Sequence, residues 1–266
     1  MTAPSPQHAP AQAASAQNAA ASAHPGDGAA RPAVVGHRGA ALLSPENTLA
    51  SFRRALDDGA QLLECDVHLS ADGQLVVMHD KTIDRTADAS SPLRSGAIAE
   101  LTRAELDRVL LPEGQHIPSL AELLEMSTVP LFVEVKAEAA AEAVARMLTA
   151  LPATAPAAAS TVISFHPEAL STIRRDAPQI PVSYIVHRLD QAALDTATEL
   201  GAAGVGPGIG GLSLAAADAV REAGLQLNPW TVNRPEQLDV ALACRADAIT
   251  TDDPAWLHGE LDARSL

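Results

Sequence analysis

From residue 33 onward, short runs of β-branched and aliphatic residues alternate with longer Ala/Leu-rich stretches. The apolar runs predict strands at 33–36, 62–67, 75–79, 130–135, 161–165, 181–186, 203–206, 226–231 and 247–250. Helical periodicity fits NTLASFRRALDDG (47–59), AEAAAEAVARMLTAL (137–151), PEALSTIRRDA (167–177) and LDQAALDTATELG (189–201). It continues in SLAAADAVREAG (213–224) and RPEQLDVALACRA (234–246), and Gly or Pro stands near many of the helix ends. Alternation of this length predicts a parallel sheet. One pair departs from it: 62–67 and 75–79 are joined by ADGQ alone and read as a hairpin. With its turn centred near Asp72 and Gly73, Glu64 falls opposite His79. The simplest architecture is of the α/β class, a (β/α)8 TIM barrel with one extra hairpin strand. A doubly wound sheet is the alternative, but a last strand at 247–250 favours closure.

Residues 81–118 break the rhythm with turn-rich TADASSPLRSG, one short helix (102–110) and the segment QHIPSL. This stretch reads as a small insertion that could wall one side of the barrel mouth. The first 31 residues are mostly Ala, Ser, Pro, Gln and His and have neither a basic start nor a Leu/Val core. They read as a disordered tail ahead of a barrel domain at 32–262, and not as a signal peptide. No run approaches the ~20 apolar residues that span a bilayer. The expectation is a cytoplasmic protein with no stable membrane insertion.

Six aromatic residues among 266 leave the core to Ala, Leu, Val and Ile. The formal charge of −15 argues against a nucleic-acid or anionic-membrane surface. Two distant cysteines, Cys65 and Cys244, suggest reduced thiols, and Cys65 should face packing. Lysine occurs only at 81 and 136, so Lys136 inside an apolar strand stands out.

The polar residues that interrupt strand ends carry the chemistry. Residues two apart on a strand share a face, so Glu64 lies beside Asp66 and Glu134 beside Lys136. Barrel enzymes react at the C-terminal ends of their strands, where His37 and Trp230 also fall. Glu64, Asp66 and Glu134 offer oxygen ligands to one hard cation, Ca²⁺ or Mg²⁺. Arg38 and Lys136 could neutralise a phosphate, and His37 and His79 could divide the proton transfers of phosphodiester cleavage. His68 shares the acids' face at a fraying strand end and ranks below them, and His166 could line the rim. His116, His187 and His258 read as loop or surface residues, and Asn47 as a helix cap. Glu46 is a second possible cap, while Asp80, Asp84 and Arg85 could stabilise the loop after the hairpin. Any one of these is commonly structural; all seven principal groups at one mouth are not.

With these residues in place, the chain resembles the bacterial glycerophosphodiester phosphodiesterases. The matching pieces are HRG (37–39), PENT (45–48), ECDVHLSADGQLVVMHD (64–80), TIDRT (82–86) and IPSL (117–120). VEVK (133–136), SF (164–165), WTVN (230–233) and ITTDDP (249–254) complete a match in the family's order across 33–257. The resemblance implies a TIM-barrel enzyme that cleaves small glycerophosphodiesters to glycerol 3-phosphate and an alcohol. It implies acid/base roles for His37 and His79, metal ligation by Glu64, Asp66 and Glu134, and phosphate contacts from Arg38 and Lys136. The family often has an acid or amide where this chain has His166, and the insertion lacks aromatic residues, so the alcohol side departs from the pattern. Other readings are a lysophospholipase D on the same scaffold and a silent barrel that binds phosphate esters.

Overall fold

The computed structural model describes residues 31–266, so the tail expected over 1–31 lies outside the described residues except for Arg31, which pairs with Asp262. The chain runs through β1 (Ala33–His37), α1 (Leu49–Asp57), β2 (Leu62–Leu69) and β3 (Leu75–Val77). Next come α2 (Arg103–Leu106), the two-residue strands β4 (Leu110–Leu111) and β5 (Gln115–His116), and α3 (Leu120–Met126). Strand and helix then alternate through β6 (Leu131–Val135), α4 (Ala141–Thr149), β7 (Thr161–Ser164), α5 (Pro167–Asp176) and β8 (Val182–Val186). The last elements are α6 (Gln191–Glu199), β9 (Gly204–Pro207), α7 (Leu214–Glu222), β10 (Gln226–Leu227), α8 (Pro235–Ala243), β11 (Ala248–Thr251) and α9 (Pro254–Ala263).

The strands lie in the order β10-β9-β8-β7-β6-β2-β1-β11, each parallel to the next. Backbone bonds from Asp247 N–H to Leu227 C=O and from Val232 N–H to Thr250 C=O, both 2.9 Å, bring the two end strands together. The ring is nearly closed, as a (β/α)8 barrel requires and a doubly wound sheet does not. Pro229 has no N–H to give the ladder, so the strand expected over 226–231 is regular only at Gln226–Leu227.

Strand alternation sorts the core into two layers. Leu63, Cys65, Val67, Leu131, Val133 and Val135 face the helices, where Phe52, Ala55, Leu170 and Ile173 meet them. Val35, Phe132, Ile163, Ile185 and Ala248 fill the barrel's interior. Both cysteines are buried and unpaired.

The hairpin differs from the sequence reading by one residue. Ser70 N–H closes on Gln74 C=O at 2.9 Å around the loop Ala71–Gly73, and the pairs are Val67↔Val77, His68↔Val76 and Leu69↔Leu75. Asp66 therefore lies across from Met78, whose N–H donates to its carbonyl at 3.0 Å, and Glu64 does not face His79. The pairing of Glu64 with His79 needs a turn centred between Ala71 and Asp72, and the three-residue loop centres it on Asp72 instead, moving each partner by one. His79 instead reaches the mouth from the loop after β3.

The insertion has a small core of its own, built on Val76, Met78, Ile83, Ile98, Leu106, Val109, Leu111 and Ile117. Its helix is shorter than expected, with a capping box between Thr102 and Glu105 at its start. Among the described residues, no helix is long and apolar enough to cross a membrane.

Candidate active site

His37 ends β1, and the chain then turns sharply through Arg38 (φ 51°) and Gly39 (φ 89°). The turn aims the Arg38 N–H at Glu64 Oε2, 3.0 Å away. Only glycine fits there, because a Cβ on residue 39 would lie 2.4 Å from Ser51 Oγ and 2.7 Å from Phe52 N. Gly39→Ala should therefore lose at least about 2 kcal/mol of stability, combining left-handed strain with the clash. Gly73→Ala is the control, since a Cβ there meets nothing within 4 Å; it should cost only about 1 kcal/mol. Parallel denaturant melts of the two variants check the difference.

β2 projects Glu64 and Asp66 inward, and pairing with β6 sets Asp66 beside Glu134. The three carboxylates offer oxygens within 4.8 Å of one another, all buried. Burial, and then the charge of Asp66, pushes Glu64 up to about 7 and Glu134 up to about 8. Asp66 is equally buried but stays below its ordinary value, because Lys136 and Arg38 stand against it. Lys136 Nζ is 2.7 Å from Glu134 and 3.1 Å from Asp66. Arg38 Nε lies 3.3 Å from Asp66 Oδ2, yet its N–H finds no hydrogen-bond partner. A cluster of oxygen donors that cannot all ionise alone fits a hard divalent cation.

Each histidine is held by a carboxylate. His37 Nδ1 is 2.6 Å from Asp252 Oδ1, and Asn233 fixes Asp252 in turn by its side-chain amide and by accepting the Asp252 N–H. Burial opposes a charge on His37, but Asp252 and Glu64 outweigh it and raise its pKa. His79 Nδ1 is 2.7 Å from Asp80 Oδ1. Here burial wins and the pKa falls, so the two imidazoles differ in basicity. Arg85 holds Asp80 through Nε at 2.6 Å and reaches Glu46 with both terminal nitrogens, and Glu46 accepts from Arg38 at 3.1 Å. One chain of charges thus joins the turn after β1 to the insertion.

These groups open onto a cavity of about 660 Å³. His37, Arg38, Glu64, His79, Glu134, Lys136 and Trp230 line it, and Asp66 lies buried against Lys136. On the far wall Phe165 stacks on His187 at 4.8 Å and meets Trp230 edge-on at 5.5 Å, while the Trp230 N–H donates to Gly206 C=O.

Several residues differ from their reading in the sequence. Asn47 does not cap α1, since Thr48 does; it is buried and donates to Asp66 Oδ2 at 2.8 Å. Its positive φ of 57° turns it inward, out of capping position. Glu46 caps no helix and bridges two loops through Arg85, which also holds Asp80 in its own loop as expected. His187 lies on an exposed loop and lines the pocket as well. His68 is buried within β2, where its Nε2 meets the His79 carbonyl at 3.2 Å, and His166 lies outside the pocket lining. Asp252 and Phe165 were present in the matched motifs without an assigned role. Asp84 does support its loop, accepting the Gly96 N–H.

A barrel with acids, imidazoles and two cations gathered at the C-terminal ends of its strands has the construction of an enzyme acting on phosphate esters. The chain belongs to the glycerophosphoryl diester phosphodiesterase family, whose model matches residues 37–256. It is 32% identical over 257 residues to the "Probable glycerophosphodiester phosphodiesterase 1" of Mycobacterium tuberculosis, covering 86% of this chain and 94% of that one. A glycerophosphodiester phosphodiesterase of Caldanaerobacter subterraneus is 27% identical over 231 residues, covering 84% and 95%. Among solved structures, an Oleispira antarctica phosphodiesterase in complex with its product sn-glycerol-3-phosphate is similar with a TM-score of 0.79. That match has 27% identity and covers 87% of this chain and 97% of the other. The protein is a glycerophosphodiester phosphodiesterase.

Proposed function

We propose that the enzyme hydrolyses glycerophosphodiesters such as glycerophosphocholine or glycerophosphoethanolamine to sn-glycerol 3-phosphate and the free alcohol, with one divalent cation and two histidines. The observation that carries the reading is the cluster of Glu64, Asp66 and Glu134 within 4.8 Å, flanked by two carboxylate-anchored imidazoles. Those three acids would hold Ca²⁺ or Mg²⁺, which when bound polarises the phosphoryl oxygens. Arg38 and Lys136 face the same cavity and offset the remaining charge of the diester. Asp252 and Asp80 engage the Nδ1 atoms, which leaves each Nε2 for the reacting oxygens. One imidazole takes a proton from the attacking water as its oxygen bonds to phosphorus, and the other gives one to the alkoxide whose bond to phosphorus breaks. Trp230 walls the substrate pocket.

The test is glycerol 3-phosphate release from glycerophosphocholine by metal-stripped protein, before and after adding Ca²⁺ or Mg²⁺. Release that appears only with metal supports the reading. No release from folded protein with either ion would sink it. Metal binding should also weaken as pH falls from 8 to 6, since protons then compete for Glu64 and Glu134, which titrate at about 7 and about 8 without metal. Titration calorimetry at the two pH values measures this.

A further inference from the structure

Past Met78 the chain leaves the sheet. Val77 N–H still donates to Pro118 C=O at 2.8 Å, and Met78 N–H to Asp66 C=O at 3.0 Å. The next backbone bonds come where the chain pairs with Gly96–Ile98, and there Ile98 N–H donates to Lys81 C=O at 2.9 Å. His79 and Asp80 lie between these anchors. Among the described residues, their backbone groups bond to no other backbone group. The hydrogen bond they do make comes from a side chain: His68 Nε2 lies 3.2 Å from the His79 carbonyl oxygen. A carbonyl only accepts, so Nε2 carries a proton and donates it, whatever the charge of the ring.

The origin of that donor sets its effect. Asp80 and Arg85 fix the His79 ring from its own loop, and neither holds the peptide that carries it. His68 belongs instead to β2, where it follows Glu64 and Asp66 at two-residue spacing on the same face. Its bond therefore ties the backbone of His79 to the strand that bears two of the acids. His68 is only 8% exposed, its register partner Val76 belongs to the insertion's core, and it does not line the cavity. It can act on a reacting group only through His79.

We propose that His68 is a positioning residue, a side-chain donor that stands in for the missing ladder bond and sets the depth at which the His79 imidazole enters the cavity. The inference rests on the reading of His79 as a proton-transfer group. Such a group displaced by about 1 Å can lose about a hundredfold in rate while binding is spared.

The experiment uses variants of the full chain. His68→Gln keeps a donor of similar reach, His68→Asn stops short of the carbonyl, and His68→Leu has no donor. With glycerophosphocholine and Ca²⁺, His68→Leu and His68→Asn should each lower kcat at least about tenfold, with KM and the calorimetric Ca²⁺ affinity within about twofold of wild type. His68→Gln should hold kcat to within about threefold. Nitrogen NMR of protein labelled in its imidazoles adds a readout without turnover. The His79 ring signals should broaden or double in His68→Leu and His68→Asn and stay sharp in His68→Gln. If His68→Leu fails to fold, His68→Asn decides. Full kcat without the donor, or a loss that His68→Gln shares, overturns the proposal. A fall in Ca²⁺ affinity that matches the fall in kcat also overturns it and assigns His68 to supporting the acids. A wild type that never cleaves glycerophosphocholine, but whose His79 signals respond to residue 68 as described, supports the positioning and counts against the diester reaction alone.

Discussion

The Glu64→Gln protein should fold, melt at a higher temperature than the wild type when both are metal-free, and lose turnover by at least about a thousandfold. The two halves of that result have one cause. Glu64 is buried against Asp66, so its charge has no solvent to stabilise it and a like charge beside it. In the metal-free protein Glu64 and Glu134 keep their protons up to about 7 and about 8, against an ordinary 4.5. The folded chain then binds more protons than the unfolded one across that range, so their contribution to stability is present at low pH and falls as pH rises from about 4.5 to about 8. Glutamine has the same shape with no charge, and it removes Glu64's share of that decline. It also removes a ligand, and with it several kcal/mol of charge stabilisation where the phosphoryl group reacts. Melts of both proteins at pH 5 and pH 8, with and without Ca²⁺, give the stability half; single-turnover assays give the other. Higher metal-free stability together with full activity would mean that the cation sits elsewhere.

The second large effect is at His37. Replacement by Ala should cut kcat by about a thousandfold, within the range for a positioned acid or base, and leave the melting temperature within a few degrees. The companion variant is Asp252→Asn. Asp252 accepts from His37 Nδ1 and is itself held by Asn233, so the carboxylate fixes which ring nitrogen faces the cavity. An amide there can present its NH₂ to Nδ1 and favour the other tautomer. Asp252→Asn should therefore reduce kcat by about a hundredfold with little change in KM, and should move the limb of the pH profile governed by His37 downward. That direction follows from the present balance, in which Asp252 and Glu64 raise the His37 pKa against burial. A KM effect alone, with kcat and its pH profile intact, would assign Asp252 to packing.

Much of the barrel can be read from the sequence because alternation is a local signal. Each apolar run found a strand, though 226–231 kept only Gln226–Leu227, and parity set Glu64 beside Asp66 and Glu134 beside Lys136. What escaped was set by single residues acting over short distances. The hairpin register turned on whether its loop held two residues or three, which ADGQ does not reveal by composition. α3 and α9 were not drawn, although Ser119 with Glu122 forms a capping box and Asp253-Pro254 starts a helix in a standard way. Those signals were present and unread. The roles of Asn47 and Asp252 are another matter. Each depends on an element remote in sequence, β2 for one and β1 for the other, and no spacing rule brings them there.

The ion-pair chain from Arg38 through Glu46 and Arg85 to Asp80 divides the enzyme's freedom to diverge. Residues 88–95, which this chain does not touch, can change length or composition while the histidine stays aimed, whereas 96–98 bond back to 81–84 and are tied to it. The interval from Asp80 to Arg85 cannot, because an insertion there would turn His79 as well as lengthen a loop. Relatives should therefore vary in length within 88–95 more readily than within 80–86. A lineage that loses the acid at 80 or the guanidinium at 85 should be one that has given up hydrolysis.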